Sequence, residues 1–137
     1  MQVQAYLFFD GRCEEAIQFY RRALGAEQLM LMRFKESPSP VAPGTIPAGS
    51  ENKVMHAALR IGDTIVMASD GHCAGRPSFE GFSLSLSVPD APTADRVFSA
   101  LAEGGSVKMP LSETFWSPRF GMLTDKFGVG WMVNVVS

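Results

Sequence analysis

Two segments of this chain carry the same apolar helix face at the same place in a strand pattern. That repeat limits the fold more than any single motif does. Cys13, Ala16, Ile17, Tyr20 and Leu24 follow at steps of three and four, which is one face of an α-helix. Shifting Cys13, Ala16, Ile17 and Tyr20 by 81 positions gives Ala94, Val97, Phe98 and Leu101, a second such face. Gly25 ends the first helix and Gly104-Gly105 the second, as glycine commonly does. Asp10 is the expected N-cap of the first helix, with Glu14 and Glu15 favoured by the dipole of its first turn; Asp90 is the expected N-cap of the second.

Strand-like runs flank each helix in the same order. Val3 to Phe9 precedes the first helix. Glu27 to Phe34, Val54 to Ile61 and Thr64 to Ser69 follow it, the last two joined by the hairpin signal Gly62-Asp63. Phe82 to Val88 precedes the second helix, and Ser106 to Thr114, Phe120 to Thr124 and Val129 to Val136 follow it, with Phe127-Gly128 at the last turn. One such unit cannot bury both its helix and its sheet well by itself. The expected fold is therefore α+β: two βαβββ modules forming a curved eight-stranded mixed sheet around a cup, with helices outside. Module one spans 1–70, a loop 71–81, and module two 82–137, all within a single domain. The segment from Glu36 to Lys53 holds Pro38, Pro40, Pro43 and Pro47 and reads as a long loop, either a lid or a surface excursion.

Composition removes several functional classes. The net charge is −2 and the basic residues are scattered, so no stripe can track a phosphate backbone and nucleic acid is not expected as a partner. No run approaches the length of a membrane span, and Met1 to Asp10 lacks the features of a signal peptide. Two cysteines, Cys13 and Cys73, without a CxxC pair point to a reducing compartment, and the protein is expected to be cytoplasmic.

The stretches Tyr6-Leu-Phe-Phe-Asp-Gly11, Glu15-Ala-Ile-Gln-Phe-Tyr20 and Leu24-Gly25 resemble the opening of glyoxalase and bleomycin-resistance proteins. Met55-His56-Ala-Ala-Leu59 with Asp70, Phe115-Trp116 with Phe120-Gly121, and Asp125-Lys-Phe-Gly-Val-Gly-Trp131 resemble the PhnB-like branch of the vicinal oxygen chelate superfamily. The resemblance covers nearly the whole chain and implies the paired βαβββ fold, and commonly a homodimer. In the wider superfamily, His and carboxylate side chains in the cup hold one divalent metal that polarises substrate oxygens. The matching positions here fall at Ala5, at Val66 or Met67, at Ser83 and at Met132, none of them a usual ligand. No metal and no cofactor are expected. Relatives of this branch sometimes carry a demethylubiquinone methyltransferase label, but this chain has no strand-to-helix glycine-rich loop for an adenosyl cofactor.

Several residues have two readings. His56 is either a cup-facing acid/base or, the preferred reading, a strand histidine satisfied by a neighbour. Asp70, His72 and Cys73 are close enough in sequence for a metal or a nucleophile, yet Asp70 at a strand end more simply orders the turn. Cys13 and Trp131 read as core. Ser83, Ser85 and Ser87 alternate with Leu84, Leu86 and Val88, as on a solvent-facing strand or on a small polar cup wall. The expected function is metal-free binding of a small, partly apolar molecule by a cup of Ala5, Ser83, Ser85, Trp116, Met132 and Asn134. The alternative is a lyase, isomerase or dioxygenase-like enzyme working through His56, Asp70 and Glu113. A protein–protein adaptor is a third option.

Overall fold

The computed structural model describes residues 1–39, 42 and 44–136. The element order is β1 (Tyr6–Phe8), α1 (Cys13–Leu24), β2 (Glu27–Arg33), β3 (Val54–Ile61), β4 (Thr64–Ser69), β5 (Leu84–Val88), α2 (Ala91–Ala102), β6 (Ser106–Ser112), β7 (Phe120–Thr124) and β8 (Gly130–Val135). Strand, helix and three strands thus occur twice. The eight strands form two four-stranded mixed sheets ordered β1-β4-β3-β2 and β5-β8-β7-β6. In each, the first strand pairs in parallel with the last, and the remaining pairs are antiparallel. The chain divides into two compact units, Met1–Pro77 and Ser78–Ser137. No described helix is long and apolar enough to cross a membrane.

In the first unit α1 buries Cys13, Ala16, Ile17, Phe19, Tyr20 and Ala23. Burying side chains the size of Ile17 or Phe19 contributes about 1.5–3 kcal/mol each. Gly25 closes the helix in the left-handed conformation (φ 66°), and its amide donates to Arg21 O. The start of α1 departs from expectation. Asp10 does not cap it: Asp10 itself has φ 47°, and the N-cap position is Arg12, which makes no side-chain cap bond. The cap comes instead from Asp70, at the end of β4. Its Oδ1 accepts the amides of Gly11 at 2.7 Å and Cys13 at 2.8 Å, and its Oδ2 accepts the amide of Val54 at 2.8 Å.

The β3–β4 hairpin turns at Gly62 (φ 58°) with Ile61 opposite Thr64. β2 ends at Arg33, one residue before the expected end, because Phe34–Glu36 form a 3-10 turn. The long loop that follows is tied at both ends, with Phe34 N donating to Lys53 O and Lys35 N to Glu51 O. Pro40, Val41 and Pro43, inside the segment considered as a lid, lie outside the described residues.

In the second unit Asp90 does cap its helix, accepting Thr93 N at 2.8 Å, and hydrogen bonds from the Thr93 side chain and amide hold its carboxyl below the usual range. Ala94, Val97, Phe98 and Leu101 are buried. The helix ends at Ala102, before Gly104 (φ 76°) and Gly105. Asp125 organises the β7–β8 turn: Oδ1 accepts Phe127 N and Val129 N, and Oδ2 accepts the indole N–H of Trp131 at 2.9 Å. Trp131 is core.

Candidate functional site

Strand periodicity divides the second sheet into two faces. Trp131, Val133 and Val135 on β8 and Leu123 on β7 are buried. They share their side with Gly121, where an added Cβ would stand 2.8 Å from Phe98 of α2. The opposite face carries Ser85 and Ser87 on β5, Met132 and Asn134 on β8, and Phe120 and Met122 on β7. Register places Ser85 and Met122 on either side of Met132, and Ser87 and Phe120 on either side of Asn134. Ser83 precedes β5 with the parity of Ser85. Gly130 makes room for it, since a Cβ there would lie 2.9 Å from Ser83 Oγ.

An aromatic edge adjoins this face. Trp116 packs edge-on against Phe120 with centroids 5.4 Å apart, and Phe115 packs on Trp116 at 4.7 Å. Trp116 is 52% and Phe115 96% exposed. Their loop is fixed from below by buried Ser117, whose N–H donates to Thr114 Oγ1 and whose Oγ lies 2.7 Å from Arg119 O and 2.8 Å from Val135 O. One polar atom on the face is unsatisfied. Among the described residues, Asn134 Oδ1 is the one buried side-chain N or O atom with no hydrogen-bond partner.

In the first unit, Tyr6 and Phe8 lie on the face of the sheet opposite buried Leu7. Ala5, just before β1, shares the parity of Leu7 rather than of Tyr6. Tyr6 Oη lies 2.8 Å from His56 Nδ1, and the Tyr6 ring stacks on Phe8 at 5.0 Å. Asp70 is 1% exposed and spends both oxygens on three backbone amides. Glu113 belongs to the second unit, exposed just after β6. His72 is exposed, with Nδ1 3.2 Å from Thr45 O. Burial pushes the thiols of Cys13 and Cys73 up, with the Asp70 carboxylate adding to both, so neither is poised as a thiolate.

A cleft of about 360 Å³ lies beside the start of α1, lined by Gly11, Glu14, Arg33, Asn52, Lys53 and Asp70 among others. Its charges are spent internally. Arg33 holds Glu14 through two hydrogen bonds, which keep the Glu14 carboxyl below its usual range, and Lys53 Nζ donates to Gly11 O. These contacts fasten β2 to α1 and the loop end to the β1–α1 turn.

The family model described as 3-demethylubiquinone-9 3-methyltransferase matches residues 1–134. The chain belongs to this family, the PhnB-like branch of the vicinal oxygen chelate superfamily. Protein YjdN of Escherichia coli is 40% identical over 141 residues, spanning 99% of this chain and 96% of its own. The crystal structure of PA1353 from Pseudomonas aeruginosa is 45% identical, with a TM-score of 0.85 over 99% of this chain and 98% of its own. The PhnB protein of Bacillus cereus is 28% identical, with a TM-score of 0.81 over 99% and 100%.

As a PhnB-like protein the chain can be tested for the metal its superfamily implies. The positions the resemblance points to, Ala5, Val66 or Met67, Ser83 and Met132, offer no imidazole and no carboxylate, the donors that fit such a divalent cation. Among the described residues no three His, Cys, Asp or Glu side chains come together as a metal-holding group. At the β1–α1 turn, the amides of Gly11 and Cys13 are already bonded to Asp70, which leaves little for an anionic cofactor group to bind there.

Of the residues expected at the site, the second sheet brings Ser85, Met132 and Asn134 together on one face. Trp116 adjoins it through Phe120. Of the residues expected for an enzyme, Asp70 is committed to three backbone amides, His56 lies on β3 and Glu113 follows β6. Sequence reasoning passed over Tyr6, Phe8, Phe120 and Ser117. Period two along β1 marks Tyr6 and Phe8, and the PhnB-like stretch includes Phe120, but nothing local marks Ser117 as the support of Trp116.

Proposed function

We propose that this PhnB-like protein binds a small, partly apolar molecule on the face of β5–β8 away from α2, and that binding needs no metal. The unpartnered Oδ1 of Asn134 carries the reading. An unpaired buried acceptor costs about 1–3 kcal/mol, a penalty relieved if a ligand supplies the donor. Asn134 as a residue is only partly buried, and its terminal torsion is soft enough to turn the amide toward an incoming group. The surroundings fit a flat body: Trp116 and Phe120 supply ring surface, Met122 and Met132 adaptable thioethers, Ser85 and Ser87 hydroxyls. The ligand is accordingly a planar molecule with an N–H or O–H donor. Ala5 lies in the first unit and is not part of this face. A homodimer, which the family resemblance implies, and a cytoplasmic location, which the two cysteines without a CxxC pair suggest, are part of the same proposal.

The test is a thermal-shift screen of planar N–H and O–H donors against chelator-treated protein. Stabilisation that survives chelation and disappears in Asn134→Leu supports the reading. Stabilisation that requires added Mn, Fe, Ni or Zn overturns it in favour of a lyase, isomerase or dioxygenase-like enzyme.

A further inference from the structure

We propose that Tyr6 and His56 form a binding site in the first unit for a planar aromatic molecule carrying an acceptor oxygen, with the imidazole Nε2–H as its donor. All residues of this site belong to the first unit, and its test reads His56 whereas the test of the β5–β8 site reads Asn134.

The geometry begins with the 2.8 Å contact between Tyr6 Oη and His56 Nδ1, made between residues 50 positions apart. A phenol donates better than it accepts, and an imidazole lone pair is the stronger acceptor of the two. The hydrogen bond therefore runs from Tyr6 O–H to Nδ1, the tautomer whose ring proton sits on Nε2. Burial raises the Tyr6 hydroxyl above its ordinary value, which keeps that proton in place. Among the described residues no hydrogen bond reaches Nε2, and His56 is partly exposed. The result is a donor of fixed orientation at the surface, with no protein acceptor among the described residues.

The surface around it suits a flat aromatic body. Phe8, Tyr6 and His56 form a row, with centroids 5.0 Å apart between Phe8 and Tyr6 at 29° and 5.5 Å apart between Tyr6 and His56 at 33°. Phe8 is 51% and Tyr6 37% exposed, an unusual amount of aromatic surface for a sheet face. Gly71 leaves space for the row, since a Cβ there would press on Phe8 Cδ1 at 3.0 Å. Met32, register partner of His56, and Met67, register partner of Tyr6, add soft apolar flanks. A single N–H beside rings and thioethers selects a molecule that is apolar except for one acceptor. A carboxylate makes the stronger, charge-assisted bond. Tyr6 is the positioning residue: it sets the tautomer and does not itself hold the oxygen.

The test uses benzoate as the probe and protein labelled with 15N in its two histidines, with the His56 signals assigned by their loss in His56→Leu. In free wild-type protein the Nε2–H tautomer is expected to be dominant. In Tyr6→Phe, which keeps the ring and the fold, the tautomers are expected to mix. Benzoate is expected to move the His56 Nε2 resonance, to bind roughly fivefold more weakly to Tyr6→Phe, and to lose this site in His56→Leu. A proton on Nδ1 in the free protein overturns the proposal. So does a His56 signal unmoved by millimolar benzoate. If His56 shifts with protein concentration instead, a second copy of the chain covers this face and the proposal fails.

Discussion

The carboxylate of Asp70 accepts the amide of Cys13 at 2.8 Å, joining the end of β4 to the first turn of α1 across 57 positions of sequence. The same carboxylate also binds the amides of Gly11 and Val54, so one buried side chain holds α1, β3 and β4 in register. Asp70→Ala strips the partners from three amides. The expected loss is on the order of 3–5 kcal/mol, read as a lower urea midpoint with an unchanged slope. A loss below about 1 kcal/mol would mean that water replaces the cap.

Gly105 follows α2 where the chain crosses the β7 end. An added Cβ would stand 2.1 Å from Thr124 O and 2.8 Å from the Asp125 carbonyl carbon. Gly105→Ala must push apart the backbone around the Asp125 turn, at an expected cost of about 2–3 kcal/mol by denaturant unfolding. Gly104→Ala meets the Lys126 side chain and a φ of 76°, and should cost about 1 kcal/mol. The reverse order of the two would show that the turn relaxes around Gly105.

The thiols make stability depend on alkaline pH. Cys13 is raised by burial first, then by the carboxylates of Asp70 and Glu14. A thiol raised in the folded state contributes fully below the unfolded value of about 8.5, and that contribution is lost as pH climbs toward the folded-state value. Stability should therefore fall above about pH 8.5, and the fall should be shallower in Cys13→Ala. Iodoacetamide should modify Cys73 slowly at neutral pH and Cys13 only on unfolding. Fast labelling of Cys13 in the folded protein would contradict its burial.

Asn134 should trade stability for binding. Asn134→Leu removes an unpaired buried acceptor at similar size and is expected to stabilise the ligand-free protein by about 1 kcal/mol, measured as a raised midpoint. Destabilisation by a similar amount would show that the amide is satisfied in solution.

Local signals in the sequence located most of the scaffold. β3 and β4 occur at the expected residues because Gly62-Asp63 fixes the hairpin, and α1 ends at Gly25 because only a residue tolerant of positive φ closes the helix there. Asp90 caps α2 from the adjacent position, so it too was visible. Asp10 misled because the competing cap, Asp70, arrives from another strand. The site divides in the same way. Ser85, Met132 and Asn134 share a face by simple alternation plus the β5–β8 register. Tyr6 meets His56 only because β4 sits between β1 and β3, an order that no local pattern encodes. Ala5 enters the expected cup only through the family position, since it stands just before β1 where no strand pattern fixes its side.

The most direct measurement of the β5–β8 site is a titration of protein methyl-labelled at its eight methionines with indole, a flat molecule bearing one N–H donor. The Met122 and Met132 methyls are expected to shift together and saturably, with binding weakened roughly fivefold in Asn134→Leu. Indole that leaves both methyls unmoved, or that binds Asn134→Leu as tightly as wild type, would contradict a binding face built around Asn134.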